Sequence, residues 1–238
     1  MEARIRLVGK RAQRRAGAPL KATASVGFWS ALAVTVFTLA FGVGAVVSGV
    51  LAPLPDWTGI RTFAAAFSSV QMLPIVMALL IIPFFLSLFA AIHAYAPPER
   101  AVWSLLGLAF AAVYSAVVGL NYFLELVVLR PNILAGEIEG MAILAMTNPH
   151  SLFWALELGG YGFQSLATLA VAPIFSGGGL ESWIRRLFVA NGVLGIGLTA
   201  LFLLLDEPLI VLAGLGIWAL LFPAAMALTA VHFRRQAV

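Results

Sequence analysis

Two carboxyls, Glu125 and Glu157, stand inside long apolar stretches that otherwise carry no charge. An ionisable side chain placed in hydrocarbon costs from about 2.5 kcal/mol upward, so one that persists there faces a cavity, a partner or a ligand. A pair of them could transfer a proton, bind a cation or hydrogen-bond a polar lipid head. Helical spacing gives each carboxyl companions. Tyr114, Asn121 and Glu125 follow one another at seven and four residues, and Trp154, Glu157, Tyr161 and Gln164 at three, four and three, which puts each set on one side of a helix. If the two stripes meet, they line an outward-opening pocket with His150 at its mouth. The expected ligand-binding residues are therefore Glu125, Glu157, Asn121, Tyr161, Gln164, Trp154 and His150. The plainer alternative is that Glu125 bonds Asn121 or Arg130 and Glu157 bonds Tyr161, merely fixing helix packing. No residue is assigned a catalytic role.

Other chemistries find less support. The chain has no cysteine, which excludes disulfides, thiolate metal sites and cysteine nucleophiles. Two carboxylates, His150 and Asn121 could supply metal ligands, but no H-E-x-x-H or Glu-x-x-His spacing occurs, so no metal is expected. His93 and His232 fall near span ends, where interfacial histidines are commoner than haem ligands. Gly159, Gly160 and Gly162, like Gly192, Gly195 and Gly197, lie within apolar runs without a strand and phosphate-binding turn. They read as sites of close helix approach rather than a nucleotide fingerprint. No serine stands in a pattern with histidine and an acid. No cofactor is called for.

The elements that must position these residues are membrane helices. The 238 residues are 62% hydrophobic and 10% charged, against roughly a quarter charged in soluble domains. The expected fold is all-α: a polytopic transmembrane bundle of six spans at about 26–50, 70–95, 102–129, 151–175, 187–205 and 209–233, each near the ~20 residues a span requires. Residues 1–24 form a basic arm and 25–238 the six-helix domain. The first apolar run exceeds the roughly 7–15 residues of a signal-peptide core and lacks a convincing cleavage site, so it reads as a retained span. Breaks fall at Pro53 and Pro55, Pro97 and Pro98, Arg130-Pro131, Gly177 to Gly179, and Asp206-Glu207-Pro208. Pro74, Pro83 and Pro223 should kink their helices.

Twelve of the fourteen Lys and Arg fall on one side if the N-terminus is cytoplasmic: Arg4, Arg6, Lys10, Arg11, Arg14, Arg15, Lys21, Arg100, Arg185, Arg186, Arg234 and Arg235. Only Arg61 and Arg130 lie opposite. The positive-inside rule then gives an N-in, C-in multi-pass protein of a prokaryotic inner or plasma membrane. Beside a span, the basic arm is read as touching anionic lipid rather than nucleic acid. Trp29, Trp57, Trp103 and Trp183 sit near the expected interfaces. The stretch 57–69 reads as an interfacial helix or an extension of the second span. In 130–150, the apolar run Met141 to Met146 is too short to cross and suits a segment lying in the interface or folded back as a cover.

The pattern Asn121-Tyr-Phe-Leu-Glu125, Arg130-Pro131, Gly136-Glu137-Ile-Glu139-Gly140, Asn148-Pro149-His150, Glu157 and Gly160-Tyr161 resembles a family of polytopic prokaryotic membrane proteins of unassigned activity. The resemblance covers about 40 residues and implies a polytopic fold with amides near positions 121 and 125, from which Glu125 departs. Three functions compete. The first is binding or movement of a small or lipid-like ligand. The second is an intramembrane enzyme on a lipid or isoprenoid, using the carboxyl pair. The third is a structural or accessory membrane subunit. Membrane lipids, such a ligand and a second copy of the chain are the partners left open.

Overall fold

Long apolar runs can satisfy their backbone in lipid only by coiling, because no water is there to bond the peptide groups. The computed structural model describes the backbone of residues 2–205 and 208–237 and the side chains of residues 21–202, 204 and 214–237. The side chains of the arm before Lys21, and the Asp206-Glu207 break, lie outside the described residues. Among those described there are helices and turns but no strand.

Helix α1 (Glu2–Leu51) is followed by the short α2 (Ile60–Ala66) and a 3-10 turn, Ser69–Met72. Ser68 and Gln71 cap that turn reciprocally, which sets α2 apart from the next long helix. Helix α3 (Leu73–Tyr95) carries Pro83 inside it, and the Ser87 hydroxyl donates to the Pro83 carbonyl at 2.7 Å. Helix α4 (Ala101–Leu124) runs without a break through one π turn, Glu125–Leu129, into α5 (Arg130–Ala135). The expected stop at Arg130-Pro131 does not occur, for a physical reason. Pro131 has no N–H to give the Val127 carbonyl and its ring crowds that group. The widened turn makes room for it, with the Arg130 N–H reaching back five residues to the Glu125 carbonyl. The helix instead ends at Gly136, whose φ of 79° lets its N–H and that of Glu137 close on the carbonyls of Ile133 and Asn132. The run Met141 to Met146 forms only a 3-10 turn, Met141–Ile143. Helices α6 (Leu152–Val171), α7 (Leu180–Leu205) and α8 (Pro208–Ala237) complete the chain.

Five stretches are long and apolar enough to cross a membrane: Lys21–Leu51, Ser69–Tyr95, Pro98–Ala135, Leu180–Phe202 and Gly214–Ala237. Helix α6 is not among them. It has the length but carries Glu157, Tyr161, Gln164, Ser165 and Thr168 among its 20 residues. Val50, Val102 and Leu220 are 74%, 70% and 75% exposed, which suits an exterior in contact with lipid tails rather than water. These are the helices of a membrane protein.

The six long helices pack as a closed ring in chain order: α1 on α3, α3 on α4, α4 on α6, α6 on α7, α7 on α8, and α8 back on α1. Glycines set the tightest contacts. A Cβ on Gly107 would strike Val171, one on Gly160 would strike Val118, and one on Gly192 would strike Leu169. At one end, Arg100 donates to the carbonyls of Pro173 and Ile174, Arg185 to that of Phe175, and His232 approaches Glu181 at 3.8 Å. This is the basic end. At the opposite end a second small core gathers Phe63, Leu129, Ile133, Leu144 and Ala145 from α2, the π turn, α5 and the following loop. It forms a cap over the ring.

Candidate functional site

The middle of the ring is filled by aromatics. Tyr114, Tyr161, Trp218, Phe222 and Phe85 contact one another in a circuit across α4, α6, α8 and α3, with centroid separations of 5.7, 5.4, 5.0, 6.0 and 5.0 Å on returning to Tyr114. Between this floor and the cap lies a cavity of about 450 Å³. All six long helices line it, together with Leu54, Met146 and Thr147 of the cap segments. It is partly open to the outside rather than an enclosed void.

The stripe on α6 is what makes the chamber polar. Trp154, Glu157, Tyr161 and Gln164 all line it, as their three-four-three spacing predicts. The indole N–H of Trp154 donates to the Met146 carbonyl at 2.7 Å and ties the cap to α6. Glu157 keeps 9% of its surface, and its Oε2 has no hydrogen-bond partner among the described residues. Gln164 is fully buried. Its Oε1 accepts the Trp218 indole N–H at 3.1 Å, leaving Nε2 without a partner. An indole N–H can only donate, so this bond fixes the amide's orientation and identifies the unused group as the donor. The Tyr122 and Tyr161 hydroxyls lie 3.2 Å apart on the same wall.

The α4 stripe behaves differently. Tyr114 belongs to the aromatic floor, and the Asn121 amide donates to the Phe153 carbonyl at 3.2 Å, across to the first turn of α6. Glu125, 1% exposed, is buried at the start of the π turn, with neither carboxyl oxygen hydrogen-bonded among the described residues. Neither Asn121 nor Glu125 is among the cavity's lining residues. His150 sits exposed just before α6, its backbone N–H donating to the Asn148 side chain, and does not line the cavity either. The two stripes do face each other, but glycine-mediated contact closes the α4–α6 interface. The chamber lies at the centre of the ring, where Tyr122 of α4 and the α6 stripe both border it, rather than between these two helices alone.

Several lining residues fall outside the two stripes: Tyr122, Trp218, Gln71, Ser48 and Thr199. Tyr122 follows Asn121 by one position, so a search along the 114–121–125 side passes over it. Trp218 lies mid-helix in α8, where an indole away from the interfaces needs a hydrogen-bond partner, and that need was the available signal. Among the described residues no cluster of three or more His, Asp and Glu could hold a metal ion. His93 bonds Ser104 at 2.9 Å, and His232 sits among Tyr95, Phe175 and Phe233. The cavity is thus largely apolar, with the Glu157 carboxyl and the Tyr122–Tyr161 hydroxyl pair on its wall. Comparison with family models, with curated proteins and with solved structures finds no match for this chain.

Proposed function

We propose that this chain is a six-span membrane protein, basic end in the cytoplasm, that holds a small or lipid-like amphiphile in the chamber beneath its cap. The observation that carries the reading is the largely apolar cavity of about 450 Å³ that all six long helices line, with the Glu157 carboxyl and the paired Tyr122 and Tyr161 hydroxyls on its wall. Only one of the two carboxyls lines the chamber, so binding is favoured over chemistry that requires both. Helix α6 crosses as the sixth span despite its polar residues, because α4 and α7 flank it and its polar stripe faces inward. The gathering of Arg100, Arg185, Arg186, Arg234 and Arg235 at the basic end supports its cytoplasmic placement.

Because the chain lacks cysteine, single cysteines report topology cleanly. In intact cells Glu139→Cys on the cap should react with a membrane-impermeant maleimide while Ser176→Cys at the basic end stays protected; the reverse labelling overturns the orientation. For the ligand, native mass spectrometry of protein extracted in mild detergent should show a retained small molecule in the wild type. Gln164→Leu and Glu157→Leu should each lose it. Retention in both folded variants would refute the assigned site.

A further inference from the structure

The chamber wall carries one acid and, among the described residues, no base. Glu157 stands on it, and no Lys, Arg or His of those residues lines the cavity. The one ion pair among them joins His232 to Glu181 at 3.8 Å, at the basic end of the bundle. At the cap end Arg130 is turned to the Ser69 hydroxyl at 3.2 Å, and His150 stands exposed before α6. The link between α7 and α8 adds only acids in its sequence, since 203–213 holds Asp206 and Glu207 and no basic residue. An anionic guest would therefore meet Glu157 without a countercharge. A cation would supply the charge that the wall withholds, and a carboxyl kept inside a membrane bundle calls for such a partner.

Aromatic rings surround that acid. Phe41 of α1, Tyr122 of α4, Phe153, Trp154 and Tyr161 of α6 and Trp218 of α8 all line the chamber. Trp154 lies three residues before Glu157 and Tyr161 four residues after it, so the carboxyl stands between two rings on one helical face. The rings brace one another: Tyr161 meets Trp218 edge-on at 5.4 Å, Trp218 meets Phe41 at 6.2 Å, and Phe153 meets Trp154 at 5.4 Å. A cation is drawn to the electron cloud over such rings, most strongly where water is excluded. The same lining limits the kind of cation. A primary ammonium is strongly hydrated and brings three N–H donors, for which a largely apolar wall offers few acceptors. A quaternary ammonium or phosphonium ion has no N–H to satisfy and buries its charge beneath carbon, which suits rings and a single carboxyl. The volume of about 450 Å³ lies within the about 300–1,000 Å³ typical of pockets for drug-sized molecules.

Resting on the chamber reading above, we propose that its occupant is a lipophilic organic cation, of the quaternary ammonium or phosphonium type, paired with the Glu157 carboxylate among the rings of Trp154, Tyr161 and Trp218. The test uses the full chain purified in dodecyl maltoside at pH 8 and three aryl probes that differ in charge: tetraphenylphosphonium, the tetraphenylborate anion and neutral triphenylphosphine oxide. Equilibrium dialysis, with uptake by protein-free micelles subtracted, should find saturable tetraphenylphosphonium binding at one per chain, at least tenfold tighter than either other probe. Glu157→Gln should weaken it at least tenfold with helicity unchanged. Glu125→Gln, which alters a carboxyl that does not line the cavity, should leave it within twofold. Borate or oxide bound as tightly as the phosphonium by the wild type overturns the cation assignment, however the variants fold. Equal weakening in Glu157→Gln and Glu125→Gln overturns the pairing with Glu157. No phosphonium binding, with a native molecule still retained by the wild type and lost in Glu157→Leu, overturns the cation assignment but leaves the chamber reading standing. Absence of both a native molecule and saturable binding of any probe overturns the chamber reading itself.

Discussion

Gly159 and Gly160 are neighbours on α6, yet replacing them with alanine should move stability in opposite directions. At Gly159 the new methyl meets open space within 4 Å. Alanine is preferred to glycine in a helix interior by up to about 1 kcal/mol, so Gly159→Ala should stabilise by about 0.5–1 kcal/mol. At Gly160 the methyl lands on the Val118 side chain, with Val117 Cγ1 at 3.6 Å. Val118 has no exposed surface and cannot swing away. Overpacking of this kind costs about 1–3 kcal/mol. The gain in helix preference is common to both variants and cancels in their difference. Gly160→Ala should therefore be less stable than Gly159→Ala by about 1–3 kcal/mol, roughly a 5- to 150-fold change in the unfolding constant. The assay is reversible unfolding in mixed micelles, titrating with dodecyl sulfate and following helicity. A double-mutant cycle with Val118→Ala should shrink the Gly160 penalty, because the obstructing methyls are gone. Equal stability of the two alanine variants, or a penalty untouched by Val118→Ala, would refute the account of α4–α6 packing.

Three further outcomes follow from particular bonds. Trp154→Phe removes the 2.7 Å bond to the Met146 carbonyl and should cost about 0.5–1.5 kcal/mol, read as faster hydrogen exchange in 141–150. Gly136→Ala forces a side chain into a left-handed φ of 79° and should cost about 1–2 kcal/mol, with fraying of α5 seen by exchange at 130–135. Gln71→Met deletes the amide that donates to Ala52 and Ala66 and accepts from the Ser68 N–H. At about 1 kcal/mol per bond it should cost on the order of 2–3 kcal/mol, and limited proteolysis should then cut within 52–68 while the long helices stay intact.

The helices themselves were largely legible, because a long apolar run in lipid has little choice but to coil. Where reading failed, a local signal had been overruled by context. Arg130-Pro131 has the form of a helix stop, but a single widened turn absorbed the missing N–H and the ring, and α4 continued into α5. The α6 stripe was legible as a set because four polar and aromatic residues at helical spacing need one shared environment. The α4 stripe had the same spacing yet serves the interface and the floor, since periodicity reveals which side a residue faces but not what stands opposite. What stands opposite depends on ring order. The contact of α8 with α1 joins segments at opposite ends of the described chain, and no local pattern announces it. Trp218 reaches Gln164 across 54 positions of sequence.

That closure has a consequence for biogenesis. A chain threaded into the membrane helix by helix delivers α1 through α7 as an open wall, with the face bearing Glu157 and Gln164 turned toward whatever fills the gap. Until α8 arrives, nothing supplies Trp218 to cover the Gln164 carbonyl oxygen or Phe222 to complete the aromatic floor. Polar groups left against hydrocarbon cost several kcal/mol each, so the unfinished chain is held in an expensive state that the last helix relieves. The same two side chains that mark the finished chamber thereby mark an incomplete one, and a quality-control protease that senses exposed polar groups within the membrane would need no other tag to recognise it.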